Sequence, residues 1–140
     1  MAKIVIDANV IISAAFGGNP LKAVVRALED HDVYLSEEIE RELLGVFLRL
    51  SKKLSQEQIS SLQEKIQKLI GQAKRISVST SVALSRDAAD DHYLSLCKEI
   101  KADFLITGDK DLLSISPACL RKNGISCQII TPLVFLANAT

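Results

Sequence analysis

The sequence predicts a three-layer α/β/α domain with a mainly parallel sheet of about five strands. Two observations carry this. Short apolar runs rich in β-branched residues, Lys3–Asp7 and Phe104–Thr107, are continuous rather than alternating, as in strands buried on both faces. Between such runs lie longer stretches with helical spacing, and strands that alternate with helices build parallel sheets covered on both sides. The length of 140 residues fits one domain, 1–140, without room for a second full core.

Each element has a local reason. Lys3-Ile4-Val5-Ile6-Asp7 reads as the first strand. Val10, Ile11 and Ala14 can line a helix face, and Gly17-Gly18-Asn19-Pro20 breaks the chain after it. Leu21, Val24, Val25 and Leu28 recur at helical spacing, and Val33-Tyr34-Leu35 is a second strand. Ser36 is an N-cap with Glu37 and Glu38 in the first turn, where acids suit the helix dipole. Ile39, Leu43, Val46, Phe47 and Leu50 form the stripe of that helix. Ser55 to Gln58 has capping-box spacing, and Ile59, Leu62, Ile66, Leu69 and Ile70 carry the next helix to about Gly71. Arg75 to Ser79 alternates weakly and reads as a third strand. Asp87 to Asp90 has cap spacing ahead of the stripe Tyr93, Leu94, Cys97 and Ile100. Phe104 to Thr107 is the fourth strand, Cys127 to Ile130 the fifth, and Pro132 opens a last short helix.

Composition narrows the function classes. Seventeen basic residues balance seventeen acidic ones, so neither a basic tail nor an acidic solvating chain dominates. Aromatics make up 4% with no Trp, which disfavours base stacking on an aromatic platform. Three cysteines without a CxxC pair disfavour a disulfide framework or a zinc knuckle. No apolar run approaches the roughly 20 residues that span a bilayer, so a cytoplasmic setting without membrane contact is expected.

The chemistry-bearing residues are acidic. In open parallel sheets, sites form beyond the carboxyl ends of the strands, near the switch in strand order. Asp7 ends the first strand, and Asp109 follows the fourth with Asp111 two residues on. Asp91 lies in the first turn of the helix leading into that strand, and Glu42 in the first half of the helix after the second. If strands one and four are neighbours, these acids share a cleft. Grouped carboxylates repel unless a cation offsets them, and an oxygen-only set suits Mg²⁺ or Mn²⁺. Simpler roles are also open. Asp7, Asp87 and Asp90 have the positions of helix caps, Glu40 flanks the apolar stripe as well as Glu42 does, and Asp109 and Asp111 suit a Gly-containing turn. His31 and His92 read as surface residues, and Cys97 as a small core residue.

Taken together, four segments resemble the PIN-domain family of metal-dependent ribonucleases, particularly the toxins of bacterial and archaeal toxin–antitoxin pairs. Ile4-Val5-Ile6-Asp7-Ala8-Asn9-Val10 is similar to the family's strand-plus-"DTNV" opening. Ser36 to Leu43 is similar to its "S…EL" helix start, Asp87 to Leu94 to its "DPDDDKFL" segment, and Thr107-Gly108-Asp109-Lys110-Asp111-Leu112-Leu113 to its "TGDKDLL" segment. Ile130 to Leu136 resembles its "ITP..FL" ending, so the likeness runs through nearly the whole chain. Ala8 departs from it, standing where the family usually has Thr.

The resemblance implies an endoribonuclease in which Asp7, Glu42, Asp91 and Asp109 bind Mg²⁺ or Mn²⁺ and position the water, with Asp111 as a further ligand. Asn9 and Thr107 would hydrogen-bond around them. It implies an RNA substrate, an antitoxin protein as partner, and a homodimer. Of the adjacent acids, Asp91 is favoured over Asp90. Successive helix residues point about 100° apart, Asp90 has cap spacing from Asp87, and Asp91 shares a face with Leu94. From Arg41 to Arg75 eight basic residues stand against three acidic ones, so Lys52, Lys53, Lys65 and Lys68 could form a basic arm for a phosphate backbone or only a solvated face. Two other readings share these residues: a PIN-like domain without catalysis that binds RNA or protein, and a receiver-like Mg²⁺-binding signalling domain. The receiver needs a phosphoacceptor Asp on a middle strand, and Arg75 to Ser79 offers none.

Overall fold

The computed structural model describes residues 1–84 and 87–138. Five parallel strands, β1 (Lys3–Ile6), β2 (Asp32–Leu35), β3 (Lys74–Arg75), β4 (Phe104–Ile106) and β5 (Gln128–Ile130), form one sheet in the order β3-β2-β1-β4-β5. Eight helices surround it among the described residues: α1 (Ala8–Ala14), α2 (Gly18–Asp30), α3 (Glu37–Ser51), α4 (Gln56–Ile70), α5 (Asp91–Ile100), α6 (Lys110–Leu113), α7 (Pro117–Lys122) and α8 (Pro132–Asn138). None is long and apolar enough to cross a membrane.

The strand order places the site. From β1 the chain steps through β2 to β3 on one side, then returns to the other side for β4 and β5, so the order reverses between β1 and β4. Ile4, Val5 and Ile6 pair with Phe104, Leu105 and Ile106 across that boundary. All of these except the partly covered Phe104 are buried, and they form the centre of the core with Leu35, Ile39, Leu94 and Leu96. The two central strands therefore end side by side, with Asp7 N–H donating to Ile106 C=O at 2.9 Å.

Caps set the helix starts. Ser36 Oγ accepts from Ile39 N–H, and Ser55 with Gln58 closes the capping box. The break at Gly17 and Gly18 is where α2 begins: both residues have positive φ, 95° and 72°, a region that suits residues lacking Cβ.

The third strand differs from the expected Arg75 to Ser79. Only Lys74 and Arg75 pair with β2, and Ile76 N–H adds one bond to Leu35 C=O. Beyond it the chain is drawn to α5 by side chains. Glu99 Oε1 accepts from the backbone and hydroxyl groups of Ser79 and Thr80 at 3.0–3.1 Å, and Ser95 Oγ from Val82 N–H. Those four donors hold the Glu99 carboxyl below its usual pKa.

Candidate active site

Asp7 is 3% exposed and is both a cap and a member of the acidic group. Its Oδ1 accepts from Asn9 N–H at 2.9 Å, capping α1, and its Oδ2 accepts from Thr107 Oγ1 at 2.6 Å. Thr107 Oγ1 in turn accepts from Asp109 N–H at 3.0 Å, so one buried hydroxyl links the ends of β1 and β4. Burial pushes the Asp7 pKa up against the pull of Thr107 and Asn9, and the nearby Glu42 charge adds to the rise. The Asn9 side chain is exposed, and its contribution here is the backbone N–H.

Glu42 reaches this group from α3. Its Oε2 accepts from the Tyr93 hydroxyl at 2.5 Å and its Oε1 lies 2.9 Å from His92 Nε2. The same Tyr93 hydroxyl lies 3.2 Å from Asp7 Oδ1 and accepts from Ala8 N–H at 2.9 Å. Glu40, which the apolar stripe did not distinguish from Glu42, is turned to Arg75 Nε at 2.5 Å. Tyr93 is fully buried. Desolvation, with the two carboxylates beside it, pushes its pKa far above the ordinary phenol value, so the hydroxyl stays a donor.

A second set of acids lies beside the first. Asp90, Asp109 and Asp111 each offer a carboxylate oxygen within 4.8 Å of the others. Asp109 caps α6 by accepting from Asp111 N–H at 2.8 Å, which fixes the pair in one turn. Asp90 is 9% exposed, and no donor reaches its buried Oδ2. Burial, then a hydrogen bond shared with the Asp109 carboxyl, then the charges of Asp109, Asp87 and Asp7, raise its pKa to about 7. An orphaned buried carboxylate oxygen among other carboxylates is an arrangement that a hard divalent cation completes, and an all-oxygen donor set fits Mg²⁺ or Mn²⁺.

The adjacent acids have different surroundings. Asp90, expected as a cap, belongs to the cluster, whereas Asp91 Oδ1 accepts from Leu84 N–H at 3.1 Å. The cap is Asp87, which accepts from Ala89 N–H and starts a single 3₁₀ turn, Ala88–Asp90. That turn ends on Asp90, whose carboxylate lies in the group with Asp109. His92 and His31, expected at the surface, are partly covered. His92 stacks on Tyr93 with ring centroids 4.0 Å apart, and His31 Nδ1 accepts from Ala2 N–H at 3.0 Å.

Sequence reasoning missed Tyr93 and His92. Tyr93 falls in a helical stripe of apolar residues, and a stripe carries no sign of what its hydroxyl meets. The available signal was a phenol where the stripe needs only a hydrocarbon.

Lys52 and Lys53 lie between α3 and α4, and Lys65 and Lys68 on α4. Lys52, Lys53, Lys65 and Lys68 are all exposed. Lys68 pairs with Glu64 at 3.6 Å, and neither Lys52, Lys53 nor Lys65 has an ion pair among the described residues.

Known proteins give the arrangement a context. No curated protein matches the chain in sequence. Among solved structures, PAE2754 from Pyrobaculum aerophilum is similar with a TM-score of 0.66 at 14% identity, over 99% of this chain and 90% of that one. VapBC2 from Rickettsia felis, solved with a DNA fragment from its promoter, is similar with a TM-score of 0.58 at 13% identity, over 91% of this chain and 98% of that one. A domain of a functionally unknown protein from Methanocaldococcus jannaschii gives 0.55 at 16% identity, over 92% and 91%. At these identities the likeness is one of fold. Residues 3–111, which run from the first residue of β1 through the last acid of the cluster, match the PIN domain family model, and the chain belongs to the PIN-domain family.

Proposed function

We propose that the protein is a metal-dependent endoribonuclease that hydrolyses RNA phosphodiester bonds with Mg²⁺ or Mn²⁺, and that it is the toxin of a toxin–antitoxin pair. The observation that carries the nuclease reading is the buried, donorless Asp90 Oδ2 beside Asp109 and Asp111, at the switch point where Asp7 also ends its strand. Asp7, Glu42, Asp90 and Asp109 are the proposed ligands, with Asp111 as a further one. Asp90 takes the place that the sequence alone assigned to Asp91. A divalent cation held by these carboxylates would supply the Lewis acidity that activates a water and offsets charge on the phosphodiester. Thr107 fixes the Asp7 carboxylate through its buried hydroxyl. The capped turn at Asp109 presents that acid and Asp111 from one rigid loop. The shared fold with VapBC2, and the family resemblance in sequence, support the toxin assignment.

Cleavage of RNA by the purified protein should require Mg²⁺ or Mn²⁺ and stop in EDTA. Activity undiminished in EDTA would overturn the metal-dependent reading. Mn²⁺ at millimolar concentration should also raise the melting temperature, because the ion binds the folded site and not the unfolded chain. A melting curve identical with and without Mn²⁺ would remove the cluster as a metal site. For the toxin half, induced expression should arrest growth, and co-expression of the protein encoded by the adjacent gene should relieve the arrest.

The basic arm is part of the proposal. Replacing Lys52, Lys53, Lys65 and Lys68 by Gln should weaken RNA binding and flatten its salt dependence, since each lost phosphate contact lowers the slope by about 0.7–0.9. Mn²⁺ affinity should not change. A salt slope equal to that of the wild type would make these lysines a solvated helix face.

A further inference from the structure

We propose that Tyr93 and His92 are positioning residues that deliver Glu42 from α3 to the Asp7 side of the acidic site, a role that rests on the metal-dependent reading above. Among the described residues, the hydrogen bonds to the Glu42 side chain come from these neighbours on α5, one to each carboxylate oxygen. A glutamate on a helix otherwise samples several rotamers, and ordering it has an entropic cost. The phenol ring is a rigid lever against that freedom. It is fully buried, it stacks on His92, and its oxygen accepts from Ala8 N–H, the residue next to Asp7 in the chain. The hydroxyl thus ties the β1–α1 junction to a side chain of another helix, and puts Glu42 and Asp7 within reach of one donor. A buried hydroxyl is costly unless bonded, and a hydrocarbon would satisfy the stripe that anchors α5. Here the hydroxyl's partners are the two carboxylates and the backbone between them.

The test is a double-mutant cycle on the full chain, read as the Mn²⁺ dissociation constant by isothermal titration calorimetry. Tyr93→Phe should weaken Mn²⁺ binding about tenfold, near the low end for one lost hydrogen bond to a charged group, and His92→Ala about threefold, the scale of an ordinary neutral hydrogen bond. Neither change should weaken it further in a Glu42→Gln background, because both act through Glu42. A Tyr93→Phe protein with wild-type affinity would overturn the proposal. So would an equal loss with and without Glu42, which is what a role in packing alone produces. If Tyr93→Phe fails to fold by circular dichroism, the half-buried His92→Ala carries the same cycle with the same outcomes. A folded wild type that does not bind Mn²⁺ would overturn the metal reading together with this one. That result is distinct from a wild type that binds while the variants match it.

Discussion

Asp7→Asn is expected to lower RNA cleavage by about three orders of magnitude while the fold survives, a scale set by the several kcal/mol that a bound cation contributes to the transition state. The amide keeps the acceptor that caps α1, and its NH₂ can donate to Thr107 Oγ1, so the local hydrogen bonds have a route to re-form. Burial already raises the Asp7 pKa, which means that its charge is poorly solvated in the folded chain. Removing that charge should therefore leave the metal-free protein melting within a few degrees of wild type, or above it. The response to Mn²⁺ should vanish. Cleavage at the wild-type rate by a folded Asp7→Asn protein in Mn²⁺ would overturn its place among the ligands.

The second large effect separates Asp90 from Asp91. Asp90→Asn is expected to abolish both cleavage and the Mn²⁺-induced rise in melting temperature, and Asp91→Asn to preserve both. The pH dependence gives an independent check. The folded-state pKa of Asp90 is about 7 against 3.8 for the ordinary group, so the folded chain holds a proton that the unfolded chain has released. Without metal this group contributes full stability below about pH 4 and loses it as pH rises to about 7, with a slope of up to about 1.4 kcal/mol per pH unit. Asp7, also raised, acts in the same direction. Asp90→Asn should flatten most of that slope in EDTA, and Asp91→Asn should leave it. In Mn²⁺ the wild type should lose the slope near neutral pH, since the ion takes over the role of the proton. Urea titrations across pH 4–8 measure it, and a wild-type slope in Asp90→Asn would return Asp90 to a capping role.

Those two residues also show how far the sequence carries. The strands β1, β2, β4 and β5, the caps at Ser36 and Ser55 and the stripes of α3 to α5 were legible, because period and capping chemistry are local. Asp7, Asp109 and Asp111 follow strand ends and Glu42 a capped helix start, positions that local patterns mark. The sequence favours Asp91 over Asp90, since the 3₁₀ turn Ala88–Asp90 ahead of α5 leaves no periodic trace. The third strand was overextended because Glu99, distant in sequence, withdraws Ser79 and Thr80 from the sheet. The short helices α6 and α7 fall below the length at which a stripe repeats. Tyr93 and His92 became visible only when Glu42 and Ala8 were seen around them.

The pairing of β1 with β4 has a consequence for how the protein is made. Asp7 and Thr107 touch across a sequence separation of 100 residues, and closing a loop of that length costs about 4 kcal/mol of chain entropy. Contacts so distant in sequence form late and slowly, after local helices have appeared. A chain still leaving the ribosome holds Asp7 and Glu42 long before it holds Asp109, and the Thr107 hydroxyl that joins the two strand ends arrives with the final third. Nascent chains and fragments that stop short of β4 lack Thr107, Asp109 and Asp111, so the carboxylates come together only once the strand that carries them to β1 has been made.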